Sequence, residues 1–233
     1  MKVQRNFPKF TITAKGTRWV EQGHPWIYEA EVVRSEGDFE NGCLVDAVSE
    51  KGKYLGTGFL SLNSKIRIRL ISRNANDKFD EAFWRRRIGY AWDYRKTVMA
   101  GDLNCCRVIF GEADGFPGLT VDKFADILVT QTLSIGMEKL KPVLFPLIAE
   151  ILRADGHEIS GIFERNDVKI RELEGLAQGK GWFGDEHPDS CVTEICENGV
   201  YYSVDVENGQ KTGFFLDQKY NRLAVARLAK GKR

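Results

Sequence analysis

The sequence has no apolar run near the ~20 consecutive residues that a membrane-spanning helix requires. Its first residues, Met1-Lys2-Val3-Gln4-Arg5-Asn6-Phe7, lack the apolar core of a secretory signal. These two absences argue against a membrane partner and place the protein in the cytoplasm. Cysteine is sparse and unpatterned. Cys43 stands alone, Cys105 and Cys106 are adjacent, and Cys191 and Cys196 are five apart. An odd set without a Cys-x-x-Cys pair excludes a complete disulfide framework. The three histidines add no zinc-ligand spacing, so no metal is expected.

Net charge is also nearly absent, at +1, but it is unevenly spread. Residues 1–100 carry 18 Lys/Arg against 12 Asp/Glu, a balance of +6. Residues 101–200 carry 9 against 18, or −9, and residues 201–233 carry 7 against 3, or +4. A polyanion partner should therefore touch the two ends and avoid the middle.

The first part reads as a small β domain. Phe10-Thr11-Ile12-Thr13 is strand-like, and Lys15-Gly16 opens a short polar segment. In Gly23-His24-Pro25-Trp26-Ile27-Tyr28, Pro25 fixes φ and Gly23 admits a left-handed turn, which makes a specific corner. Strands are predicted over 42–48, 53–59 and 64–71 between glycine-rich turns, the pattern of a small β-barrel. In the last of them Ile66, Ile68 and Leu70 share one face and Lys65, Arg67 and Arg69 the other. That cationic row is either a solvated strand face or a strip that tracks phosphates.

Asn76-Asp77 is the predicted cap of a helix of about twenty residues. Phe83, Tyr90, Ala91, Tyr94 and Val98 form one stripe on it, and Trp84, Ile88 and Trp92 a second; both are expected in the core. Arg85-Arg86-Arg87 adds local positive charge. A boundary near 73–76 divides the chain into domains at 1–74, 75–190 and 191–233. In the middle one, strands are predicted over 106–110, 119–124, 127–133 and 161–165. A helix presents Met137, Leu140, Leu144, Leu147, Ile148 and Ile151 on one face. Pro142 suits its first turn, and Pro146 is expected to shift or kink it. Strands, helix and strands in that order make an α+β domain.

Three features look like chemistry and read more simply as structure. Gly179-Lys180-Gly181-Trp182-Phe183-Gly184 matches G-x-G-x-x-G, but no strand precedes it and no helix follows, so a turn is expected. Glu112 and Asp114, two apart in a glycine-rich loop, suit a turn better than an acid–base pair. His24 suits a structural hydrogen bond, with an RNA contact left open.

The stretch from Gly209 to Arg222 is the most specialised. Two glycines bracket Lys211-Thr212, then Phe214-Phe215-Leu216 leads into Asp217-Gln218 and Arg222. On residue types alone, Asp217 caps a helix and Arg222 is solvated.

Three segments carry a resemblance to one family. Gly23-His24-Pro25-Trp26-Ile27-Tyr28 with 64–71 resembles its N-terminal PUA domain. Arg107-Val108-Ile109-Phe110-Gly111-Glu112-Ala113-Asp114-Gly115-Phe116-Pro117-Gly118-Leu119-Thr120-Val121-Asp122 resembles its middle domain. Lys211-Thr212-Gly213, Leu216-Asp217-Gln218 and Arg222 resemble the opening of its catalytic domain. The family is the S-adenosylmethionine-dependent large-subunit rRNA cytosine-C5 methyltransferases. The resemblance implies an α+β chain: a PUA-like β-barrel, a mixed α+β domain, then a terminal β-hairpin and helix. It implies 23S rRNA as partner, S-adenosylmethionine as cofactor, and a possible homodimer. It assigns RNA contacts to Lys15, His24, Trp26, Lys65, Arg67 and Arg69. It assigns cofactor contacts to Lys211, Thr212, Gly213, Asp217, Gln218 and Arg222. None of the five cysteines matches the family's nucleophile, and the sequence stops where that family's Rossmann-like core begins. The expectation is an RNA-binding front portion, inactive alone; the rival is a free-standing RNA-binding module.

Overall fold

The computed structural model describes residues 5–99, 101–229 and 231–232. Six strands form the first sheet: β1 (Lys9–Ile12), β2 (Trp26–Tyr28), β3 (Val32–Glu36), β4 (Leu44–Ser49), β5 (Tyr54–Leu60) and β6 (Ile66–Ser72). Their order is β2-β6-β5-β4-β1-β3, with β1 parallel to β4 and the other neighbours antiparallel. The sheet curls, because Ile27 from one edge strand and Val32 from the other join the same core as Phe10, Val45, Leu60 and Ile68. The polar segment expected after Lys15 is instead a helix, α1 (Ala14–Glu21), capped by Thr13 accepting from Gly16 N. Here Gly16 is required: a Cβ would lie 2.7 Å from Ile12 and 2.9 Å from Glu31. Strand β3, short and mostly exposed, has no apolar alternation and was not legible.

The second sheet holds β7 (Cys105–Phe110), β8 (Leu119–Phe124), β9 (Ile127–Thr132), β10 (Gly161–Arg165) and β11 (Lys180–Trp182), in the order β11-β10-β9-β8-β7. Only β9 and β10 run parallel, and α3 (Ile135–Ala154) is their crossover. This sheet is buried on both faces. Val108, Val121, Leu128 and Ile162 face α2 (Glu81–Val98) and α3. Cys105, Phe124, Val129 and Phe163 face a hairpin of β12 (Val192–Glu197) and β13 (Val200–Asp205). A strand buried on both sides carries apolar residues almost continuously rather than alternately. The hairpin and the loop after it, over 191–216, are thus a third layer on the middle sheet. A 3-10 turn, Leu216–Gln218, and α4 (Lys219–Ala229) follow.

Several local expectations need correcting. Helix α2 is capped by Asp80, whose carboxylate accepts from Phe83 N at 3.0 Å, and not by Asn76-Asp77. Asp77 is engaged by the Ser72 hydroxyl and Asn74 in the turn before it. Trp84, Ile88 and Trp92 are core, but Tyr90, Tyr94 and Val98 are exposed. Helix α3 runs uninterrupted through Pro142 and Pro146. Residues 179–184 are no turn: Lys180–Trp182 is the edge strand β11, paired with β10. No described helix is long and apolar enough to cross a membrane.

The capping assignment is testable. Asp80→Ala is expected to cost about 1 kcal/mol in chemical denaturation and Asp80→Asn only a few tenths. Equal losses for the two would show that the carboxylate acts as a charge and not as a cap.

Candidate nucleic-acid interface and the loop of residues 209–222

The corner between α1 and β2 builds an aromatic surface. Trp19 comes from the last turn of α1, and His24, Trp26 and Tyr28 follow across the Gly23 turn. The His24 ring centroid lies 6.2 Å from that of Trp19, 6.0 Å from Trp26 and 6.1 Å from Tyr28. Its Nδ1 is 3.0 Å from Trp26 O and 3.2 Å from Trp26 N, which fixes the ring. Lys15 places its ammonium 4.6 Å from the Trp19 ring centroid and pairs with Glu31 at 3.3 Å. Lys65 is exposed, next to this corner, since its carbonyl accepts from Glu29 N.

The other two cations of the row are spent inside the protein. Arg67 bridges Glu29 and donates to Ser61 O at 2.8 Å. Arg69 pairs with Glu174 at 2.8 Å and reaches Glu112 at 3.6 Å. Trp26 donates its Nε1–H to Glu112 at 2.8 Å. Arg69 and Trp26 therefore join the first sheet to the middle layers, and Glu112 receives both. Of the expected cationic row, Lys65 remains open to solvent. The three arginines of α2 are engaged too: Arg85 by Glu81 and Glu150, Arg86 by Asp77, Arg87 by Ile71 O. Asp114 is held bidentately by Arg95 at 2.8 and 2.7 Å.

The loop after β13 is anchored by a buried carboxylate. Arg107 and Asp122 are direct cross-strand partners of β7 and β8 and pair at 2.7 and 3.0 Å. Asp122, fully buried, also accepts from the Thr212 hydroxyl at 2.6 Å. Arg165 donates to the carbonyls of Val206 and Gly209. Gly209 is constrained, because a Cβ there would collide with the Asp205 and Gly213 carbonyl oxygens. Arg222 grips the buried Glu197 at 2.7 and 2.8 Å, donates to Phe215 O and covers the Phe214 ring. Thr212, Gly213 and Arg222 are thus part of the scaffold; Arg222 is not solvated. Lys211 and Asp217 pair with each other at 3.0 Å, and Lys211 holds the carboxylate below its ordinary range. Asp217 therefore serves an ion pair rather than a helix cap. Gln218 bonds Asn221. Lys211 and Asp217 border a cleft of about 480 Å³ with Arg107, Phe110 and Tyr220.

Residues 10–73 match the model of the PUA-like domain. The N-terminal sheet is PUA-like. Across nearly its whole length the chain is similar to ribosomal RNA large subunit methyltransferase I. With the protein of Klebsiella pneumoniae strain 342 it shares 34% identity over 97% of this chain and 56% of that protein. With that of Aliivibrio fischeri strain ES114 it shares 37% over 94% and 54%. The chain spans just over half the length of these relatives. Among solved structures it is similar to a Streptococcus mutans protein named "a putative sam-dependent methyltransferase". The TM-score is 0.73 at 21% identity, over 93% of this chain and 53% of that one. A second, named a putative methyltransferase complexed with SAH, gives a TM-score of 0.72 at 20% identity, over 92% and 52%.

On the PUA-like domain the structure brings Lys15, His24 and Lys65 to or beside one surface. It adds Trp19 and Tyr28, which sequence reasoning missed. Their signal was the α1 helix: once 14–21 is helical, Trp19 falls beside the His24 corner. The cysteines sort by burial. Desolvation pushes the Cys105 thiol up to about 12 and Cys106 to about 11, so both stay protonated at neutral pH. In the folded protein a thiol reagent at pH 8 is expected to spare these two and to label Cys43, Cys191 and Cys196, which are partly exposed. Rapid native labelling of Cys105 or Cys106 would show that the sheet opens there.

Proposed function

We propose that this chain carries the RNA-binding function of a cytoplasmic S-adenosylmethionine-dependent methyltransferase that modifies C5 of a cytosine in 23S rRNA. The observation that carries the RNA part is the aromatic surface of the PUA-like domain with Lys15 and Lys65 beside it. Aromatic faces and exposed cations together suit a ligand with bases and phosphates. The similarity to large subunit methyltransferases supports ribosomal RNA as that ligand.

The cofactor reading concerns the cleft beside the 209–222 loop. Of the six residues assigned to it, Lys211, Asp217 and Gln218 have side chains at the surface of that loop. An ammonium, a carboxylate and an amide complement a zwitterionic amino-acid end, once Lys211 and Asp217 release each other. When bound, the cofactor supplies an electrophilic methyl group. The loop's scaffold, Thr212, Gly213 and Arg222, sets where those three groups stand.

The test is salt-dependent binding to a fragment of large-subunit rRNA. Lys15→Ala and Lys65→Ala are each expected to weaken binding across sequences. Each should reduce the slope of log K against log salt by about 0.7–0.9. Arg69→Ala is expected instead to lower the melting temperature, because it leaves Glu174 buried and unpaired. Unchanged slopes for both lysine variants would remove the RNA reading of this face. Light scattering on the same sample reads whether the RNA-binding species is a homodimer.

A further inference from the structure

The groove beside α1 has a more specific chemistry than a basic surface. It is a concave surface of about 500 Å³ lined by Trp19, Gln22, Gly23, His24 and Tyr28. Three of the five are aromatic and none carries a carboxylate. Gly23 has φ +107 and no atom within 4 Å of where a Cβ would stand, so the turn leaves one side of the groove empty. The ring of His24 is fixed through Nδ1, and among the described residues its Nε2 has no partner. Gln22 is exposed and adds an amide that can donate and accept. The nearby acidic side chains are already paired: Glu21 with Lys53, Glu31 with Lys15, Glu29 with Arg67. One further cation stands at the groove: Arg73 donates to His24 O at 3.3 Å. Arg18 is exposed on α1, one turn before Gln22.

We infer that this groove holds a single unpaired nucleobase, stacked on the aromatic surface and read along its edge by Gln22 and His24. The inference rests on the RNA-binding reading and adds to it a demand for unpaired RNA. A base within a duplex presents no free π-face to Trp19 or Tyr28, whereas an unpaired base can be splayed out and stacked. A phosphate site alone would need cations but not three rings around an empty turn. An apolar peptide site would not need an amide and an unpartnered imidazole nitrogen. Arg73 at the rim and the exposed Arg18 on α1 can meet phosphates beside the base, while Lys15 is held by Glu31.

The test compares two probes by fluorescence anisotropy at one salt concentration: an oligouridine about twelve nucleotides long and a blunt duplex of the same length. The intact chain is expected to favour the single strand. Trp19→Ala and Tyr28→Ala are each expected to lower the ratio of single-strand to duplex affinity by roughly five- to a hundredfold. Trp19→Phe keeps a stacking face and is expected to retain most of the ratio, with all variants checked by thermal melting. A ratio that Trp19→Ala leaves unchanged in a folded protein overturns the base site while leaving RNA binding in place. Absence of binding to either probe overturns both readings.

Discussion

Asp122→Ala is expected to lower the unfolding free energy by about 2–4 kcal/mol, through loss of a half-buried ion pair and of the acceptor for a buried hydroxyl. Asp122 is 0% exposed and serves three elements at once. It takes two hydrogen bonds from Arg107 on β7 and one from the Thr212 hydroxyl, 90 residues away. Removing it leaves the guanidinium without its partner and a buried hydroxyl without an acceptor. Asp122→Asn keeps an acceptor for one donor but loses the charge, so an intermediate loss is expected. Urea denaturation gives the magnitude. Amide exchange gives the location, with protection falling first at 206–216, where the loop is anchored. A loss below about 1 kcal/mol would mean that water replaces the carboxylate and the anchoring is elsewhere.

Phe59→Ala carries the second large effect. Phe59 belongs to β5 of the PUA-like sheet, yet it packs in the core shared by α2, α3 and the middle sheet. Its ring stacks on Trp84 with centroids 6.3 Å apart. Gly136 opens α3 against the same ring, and a Cβ there would overlap it. Truncating Phe59 is expected to cost about 3–5 kcal/mol, the range for a large buried aromatic. Because the residue bridges two layers, tryptophan fluorescence and far-UV circular dichroism should lose structure in one shared transition. Two separated transitions in the intact chain would show that the PUA-like domain folds independently and that Phe59 is a surface contact.

Much of the backbone plan could be read from residue types. The strands around Ala47, Thr57 and Ile68 and those around Val121, Val129 and Phe163 lie where periodicity and glycine-rich turns place them. What was lost has physical causes. The helix at 14–21 has no apolar repeat beyond Gly16 and Val20, because it covers the sheet with so narrow a face. Residues 180–182 form a strand only because β10 offers an unpaired edge, which no local pattern announces. The cationic row of β6 was read correctly as a row, but its fate depends on Glu29, Glu112 and Glu174. Two of these are contributed by distant parts of the chain. The 209–222 loop was legible as specialised. Which of its groups are spent on the scaffold was not, because Asp122 and Glu197 enter only through tertiary contact.

The two-sided middle sheet has a consequence for vectorial synthesis. Its strands are complete once Trp182 has left the ribosome, and α2 and α3 precede that point, so one face can be covered at once. The other face presents Phe124, Val129 and Phe163 until Ile195, Val204, Val206, Phe214 and Leu216 arrive. At roughly 5–20 residues per second, that apolar surface stays bare for a few seconds on every nascent chain. Slowing elongation between codons 183 and 216 would lengthen the bare interval, so the soluble yield should be most sensitive to rare codons there.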